Sequence, residues 1–179
     1  SAGAENSDNI MVVGDLFDIA ESNLDPAQES SGLLADKAQI VETLVGVNAD
    51  MSLTPKLALS WSQIDDLTWE FKLRDDVYFH DGSKMTADDV AFSLERADKL
   101  NSRIPTLLRM ESIEVIDPLT IRIKTSDPNP TLPAALHFAA PLAIISPKSV
   151  NDKGEVVAPI GTGPFKFDGY DESTHVLTV

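Results

Sequence analysis

A histidine beside an aspartate, runs of adjacent carboxylates and a glycine-rich turn are the features of this chain that invite a chemical reading. In His80-Asp81 a carboxylate could orient an imidazole for general-base work, as a small hydrolase would need. Adjacent residues on a strand point to opposite faces, however, so Asp81 is poorly placed to hold His80. Asp81-Gly82 reads better as a turn in which glycine takes a positive φ. The carboxylate pairs Asp65-Asp66, Asp75-Asp76 and Asp88-Asp89 are sequence neighbours, whereas acid and base must face each other across a substrate. Turn and cap roles suffice for them. His80, His137 and His175 have no zinc-site spacing, and the chain has no cysteine, so neither a thiol metal site nor a disulfide is expected. Gly161-Thr162-Gly163-Pro164 lacks the Lys-Ser/Thr ending of a phosphate loop, and Pro164 removes a donor that a phosphate nest would use. No G-x-S-x-G elbow occurs. The expectation is a chain without catalytic residues, metal or cofactor.

The elements that carry these residues alternate between strand and helix signals. Trp69, Phe71 and Leu73 alternate with Glu70, Lys72 and Arg74, the period of a half-buried strand, and the pattern resumes at Val77 and Phe79 before the Asp81-Gly82 turn. Thr86-Ala87-Asp88-Asp89 predicts a helix start, the threonine hydroxyl accepting a backbone N–H and the aspartates complementing the dipole. Val90, Leu94 and Ala97 then share one face. Ile113 to Ile116 and Thr120 to Lys124 predict a hairpin around Asp117-Pro118. Ile10 to Val13, Leu142 to Ile145, Phe165 to Phe167 and His175 to Val179 predict further strands. Helices are predicted over Leu33 to Val45, stopped by Gly46, and over Thr131 to Leu136. Leu53 to Ala58 reads as an extended connection. The fold class is mixed α/β.

Charge narrows the partners. Fourteen Lys and Arg face 29 Asp and Glu, a formal net charge of -15 spread along the whole chain. Repulsion from phosphate argues against nucleic acid, and no polybasic segment favours an anionic membrane. A solvated acidic surface is the plain reading. Residues 1–9, SAGAENSDN, read as a polar leader or a non-native remnant with no apolar signal region. The last residues lie inside an apparent strand, an expected boundary other than a natural domain end.

Trp69 to Gly82, WEFKLRDDVYFHDG, followed by Met85 to Leu94, MTADDVAFSL, resembles the signature of the family 5 extracellular solute-binding proteins. These are the dipeptide-, oligopeptide- and nickel-binding components of ABC importers. Its structural positions map to Trp69, Phe71, Leu73, Arg74, Val77, Phe79, Asp81, Gly82, Thr86, Asp89 and Val90. Leu24-Asp25-Pro26 is similar to the family's early L-[DN]-P segment, Leu53 to Trp61 to its P-x-L-A-x-S-W segment, and Ala158 to Phe165 to its turn at Gly161, Thr162, Gly163 and Pro164.

The resemblance implies a periplasmic-binding-protein-like type II fold, with residues 10–179 forming the N-terminal part of the first of two lobes. It implies an extracytoplasmic, monomeric binding component that delivers peptides to membrane permease subunits, associating with the membrane through them or through an anchor outside this chain. Ligand-facing positions follow the L-[DN]-P segment and map to Glu29, Ser30, Ser31, Gly32 and Leu34. A nickel or metal-chelate carrier is the alternative within the family. It is weakened because Glu29 and Leu34 stand where nickel-binding members carry tyrosine and methionine, and Leu142-Ala143-Ile144-Ile145 lacks their arginine. The resemblance also makes the His-Asp-Gly segment a turn, leaving the His80 hydrolase as the rival of a different class.

Overall fold

The computed structural model describes residues 24–28, 35–137, 140–171, 173–174 and 176–179. The predicted strand Ile10 to Val13, the leader, His175 and the positions Glu29, Ser30, Ser31, Gly32 and Leu34 lie outside the described residues.

A short hairpin, β1 (Val45–Val47) with β2 (Leu53–Pro55), precedes the main sheet. That sheet is antiparallel and four-stranded, built from β3 (Ala58–Asp65), β4 (Thr68–Leu73), β5 (Met110–Asp117) and β6 (Thr120–Thr125) in the order β3-β4-β6-β5. Between β4 and β5 the chain forms α1 (Ala87–Leu100) and the short α2 (Ile104–Leu108). After β6 come α3 (Leu132–Ala135) and a last hairpin, β7 (Gly169–Asp171) with β8 (Val176–Thr178).

Alternation fixes which face of the sheet is buried. Phe71 lies opposite Ile121 and Trp69 opposite Ile123 in the β4–β6 register, so both pairs share one face. Phe71, Leu73, Ile121 and Ile123 pack in one cluster with Val90, Leu94 and Ala97 of α1. The intervening positions carry charge: Glu70, opposite Arg122, accepts from it at 2.9 Å and pairs with Lys72 at 3.3 Å. Trp69 also donates its indole N–H to the Asn129 carbonyl at 3.1 Å, while the Asn129 amide reaches the Leu107 and Leu108 carbonyls. The Pro-rich break after β6 is thereby tied to both sheet and helix.

The start of α1 is a reciprocal capping box: the Thr86 side chain accepts from the Asp89 backbone, as expected, and the Thr86 amide and hydroxyl reach the Asp89 carboxylate at 2.8 and 2.9 Å. Further along, Asp98 has a carboxylate oxygen buried without a hydrogen-bond partner among the described residues. Loss of water raises its pKa above the usual carboxylate value, with Lys99 opposing only in part. A carboxyl whose folded pKa exceeds its unfolded one costs stability once ionised, and that stability returns as pH falls through the folded pKa. Asp98→Asn is therefore expected to raise the melting temperature at pH 7 by about 1–2 °C and to leave it unchanged well below pH 4. Thermal melts at the two pH values check this.

Three predicted elements are different in the structure. The helix expected over Leu33 to Val45 is, within the described part, a helical turn at 35–37. It stops because Gln39 takes a left-handed φ of 54°, letting the Ile40 amide donate to the Ala35 carbonyl and the Gln39 amide to the Asp36 carbonyl, a Schellman ending. Beyond it the chain runs extended, and the apolar spacing of Ile40 and Leu44 reflects burial between neighbouring segments, not a helix face. Leu142 to Ile145 is buried throughout but forms no strand, making a single bridge between Ile144 and Glu42. The Ser93 hydroxyl serves Ile145 on both sides, donating to its carbonyl at 3.2 Å and accepting its amide at 3.1 Å. A side chain thus replaces the partner strand. Phe165 to Phe167 is also not a strand, because the Phe165 amide is drawn to the Gln39 carbonyl at 3.4 Å and pairing begins only at Gly169.

Candidate functional site

The His-Asp-Gly segment closes a tight turn. Gly82 has φ 83° and donates its N–H to the Phe79 carbonyl at 2.9 Å. Asp81 turns away from His80: its carboxylate pairs with Lys148 at 2.9 Å and accepts the Ser83 amide and hydroxyl at 2.9 and 2.5 Å. The Lys148 ammonium and then the two Ser83 donors hold its carboxyl well below the usual carboxylate range. The nearby Arg74 forks onto Asp76 at 2.9 and 2.8 Å.

His80 faces a different partner. Its Nε2 lies 2.7 Å from the Gly163 carbonyl, and its backbone amide donates to the Gly161 carbonyl at 2.9 Å. A carbonyl can only accept, so Nε2 carries the proton. The imidazole is thus a strut between two turns, and its buried Nδ1 has no hydrogen-bond partner among the described residues, so no carboxylate among them orients it. We expect His80→Ala to lower stability by about 1–2 kcal/mol, the worth of a partly buried hydrogen bond with its packing, while leaving ligand affinity nearly unchanged. Denaturant titration and calorimetry of the full-length protein check the two halves of that statement.

The turn at Gly161, Thr162, Gly163 and Pro164 spends its polar groups on residues 39–42. Gly163 donates its amide to the Ile40 carbonyl at 3.0 Å, and the Thr162 hydroxyl donates to Glu42 at 2.9 Å. The backbones approach so closely that a Cβ on Gly161 would overlap the Ile40 carbonyl, and one on Gly163 the Gln39 carbonyl. These glycines serve close packing of two backbones, not an anion.

Leu24-Asp25-Pro26 is anchored from the other side. Arg96 of α1 forks onto Asp25 at 2.6 and 2.5 Å and also donates to the Gly154 carbonyl at 3.1 Å. The pair is almost fully enclosed, with side-chain exposures of 10% for Arg96 and 1% for Asp25. Asp25 also accepts the Ala27 amide at 3.0 Å, and Asn101 donates to the Ala27 carbonyl at 3.2 Å. Residues 25–28 are therefore bolted to α1 immediately before Glu29. Arg96 and Asn101 were not singled out by sequence, where 71 positions separate Arg96 from its partner.

An open cleft of about 590 Å³ is lined by Asp36, Thr43, Gly46, Thr54, Lys56 and His137, among others. That volume is in the range of small-ligand sites. Asp36 comes from the helical turn at 35–37, Gly46 and Thr54 from the β1–β2 hairpin, and His137 follows α3. Asp36 lies two positions beyond Leu34, the end of the expected ligand-facing segment. His137 was noted in the sequence only as a scattered histidine, and no spacing signal marks Thr43, Thr54 or Lys56. Among the described residues no group of three or more His, Asp or Glu side chains is placed to hold a metal ion. No helix among them is long and apolar enough to cross a membrane.

Comparison with known proteins gives one consistent picture. Residues 52–179 match the pattern of the bacterial extracellular solute-binding proteins, family 5 (middle). The glutathione-binding protein GsiB of Pectobacterium atrosepticum is 32% identical over 177 residues, covering 94% of this chain and 33% of that protein. The crystal structure of a nickel ABC transporter from Bacillus halodurans superposes with a TM-score of 0.73 at 35% identity, over 83% of this chain and 30% of that one. An ABC transporter substrate-binding protein from Sinorhizobium meliloti gives a TM-score of 0.75 at 30% identity, over 83% and 31%. The chain spans about a third of the length of the relatives it matches. Its architecture is that of the periplasmic-binding-protein-like type II proteins. With the family pattern matched over residues 52–179 and a relative 32% identical along 94% of its length, the chain belongs to the bacterial extracellular solute-binding proteins of family 5.

Proposed function

We propose that this chain forms part of the first lobe of an extracytoplasmic binding subunit of an ABC importer, which captures a short peptide and hands it unaltered to a membrane permease. The observation that carries the reading is the open cleft of about 590 Å³, lined by charged and hydroxyl side chains. Such a surface offers hydrogen bonds and charge to a polar solute. The likeness to glutathione-binding proteins supports a peptide, since glutathione is itself a modified tripeptide. Glu29, Ser30, Ser31, Gly32 and Leu34 are proposed to contribute ligand contacts beside Asp36. The subunit works as a monomer, held near the membrane through the permease or an anchor outside this chain.

The likeness to a nickel transporter favours a second reading, a metal-chelate carrier in which His137 at the cleft meets the chelate. Calorimetry of the full-length protein with glutathione, with di-, tri- and tetra-alanine, and with the nickel–histidine complex separates the two. Saturable binding of a peptide and none of the nickel complex is the expected result. The reverse pattern establishes the second reading.

A further inference from the structure

Two Asp-Gly steps occur in the chain, Asp81-Gly82 and Asp168-Gly169. Glycine has no side chain to shield its own amide nitrogen, so in such a step that nitrogen can reach the preceding carboxyl carbon. Both aspartates lie at the surface, and it is their hydrogen bonds that set them apart. At Asp81 one carboxylate oxygen accepts the Ser83 amide and hydroxyl, the other is paired with Lys148, and the Gly82 N–H is donated to the Phe79 carbonyl. Lys148 and then Ser83 keep this carboxyl well below the usual carboxylate range, and an ionised carboxylate has no hydroxyl to lose as water. At Asp168, among the described residues, no hydrogen bond or ion pair holds the carboxylate. Gly169 opens β7, a strand of three residues whose partner among the described residues is the equally short β8. A ribbon of that size frays, which releases the Gly169 nitrogen.

We infer that, of the two, Asp168-Gly169 is the step at which the backbone isomerises spontaneously, while Asp81-Gly82 is locked by its turn. The Gly169 nitrogen attacks the side-chain carboxyl carbon of Asp168. Its N–H proton and the carboxyl hydroxyl leave together as water, closing a succinimide ring. Water then adds back at one of the two ring carbonyls. Opening at the Asp168 backbone carbonyl leaves the chain running through the side-chain carboxyl, an isoaspartate of unchanged mass with an extra carbon in the backbone path. The change falls between Phe167 and Tyr170, which pack with Leu177 on Leu24, so it loosens the apolar contact next to the anchored Asp25.

The test ages the full-length protein in neutral buffer at physiological temperature, with a parallel sample in urea. Isoaspartate at residues 81 and 168 is followed by electron-transfer fragmentation of their proteolytic peptides. In the native protein it is expected to accumulate at residue 168 at least about tenfold faster than at residue 81, and in urea at similar rates at both. Asp168→Glu, which would have to close a larger and slower-forming ring, should abolish the signal at residue 168 alone. Removing the locks with Lys148→Gln and Ser83→Ala together should raise the rate at Asp81. Equal native rates at the two positions, or a faster rate at residue 81, would overturn the inference. So would a residue 168 that stays intact in the native protein while it isomerises in urea.

Discussion

Replacing Gly163 with alanine is expected to lower the stability of the protein by about 3 kcal/mol or more, a fall of about 6–12 °C in melting temperature. The added methyl would sit on the Gln39 carbonyl, with carbonyl carbons of Gln39 and Ile40 as its next neighbours. Those are backbone atoms. They are fixed by the Schellman ending at Gln39 and by the Gly163–Ile40 and Phe165–Gln39 hydrogen bonds, so no side-chain rotation can relieve the overlap. Gly161→Ala meets the Ile40 carbonyl in the same way and should behave alike. Thr162→Val, which removes only the hydroxyl bonded to Glu42, serves as the control and should cost about 1 kcal/mol. An alanine at either glycine that melts with the wild type would mean that the two backbones do not lie in contact.

Breaking the Asp25–Arg96 pair is expected to be at least as damaging. Both side chains are enclosed and joined by two short charge-assisted bonds, so removing one leaves the other charged, buried and unmatched. Asp25→Ala or Arg96→Met should cost about 3–5 kcal/mol. The double replacement should cost less than the sum of the two singles, because no lone charge then remains. Urea titrations of the three variants read the coupling directly, and singles within about 0.5 kcal/mol of wild type would show the pair to be solvated.

Much of this was legible in the sequence, for identifiable reasons. β4, β6 and the buried face of α1 follow from period-2 and period-3.6 patterns at Phe71, Ile121, Val90 and Leu94, where packing agrees with local preference. The turn at Asp81-Gly82 was readable because its positive φ demands glycine. The segments 40–44 and 142–145 were misread because their apolar residues are buried by distant backbone and by Ser93, partners that periodicity cannot reveal. The same limit hid the roles of His80 and Arg96, each defined by a residue more than 70 positions away. In the cleft, Asp36 and Lys56 carry no mutual spacing signal, since a helical turn and the residue following β2 bring them to one surface.

The central claim is that this protein binds a solute and leaves it intact, and one measurement addresses it most directly. The full-length protein is saturated with a peptide that it binds, held at 37 °C for hours, and the released ligand is weighed by mass spectrometry alongside a calorimetric titration. The account predicts saturable one-to-one binding and recovery of the peptide at unchanged mass. Cleavage products that accumulate with time, and that disappear in a well-folded His80→Ala variant, would contradict it and make the His-Asp-Gly turn a catalytic site.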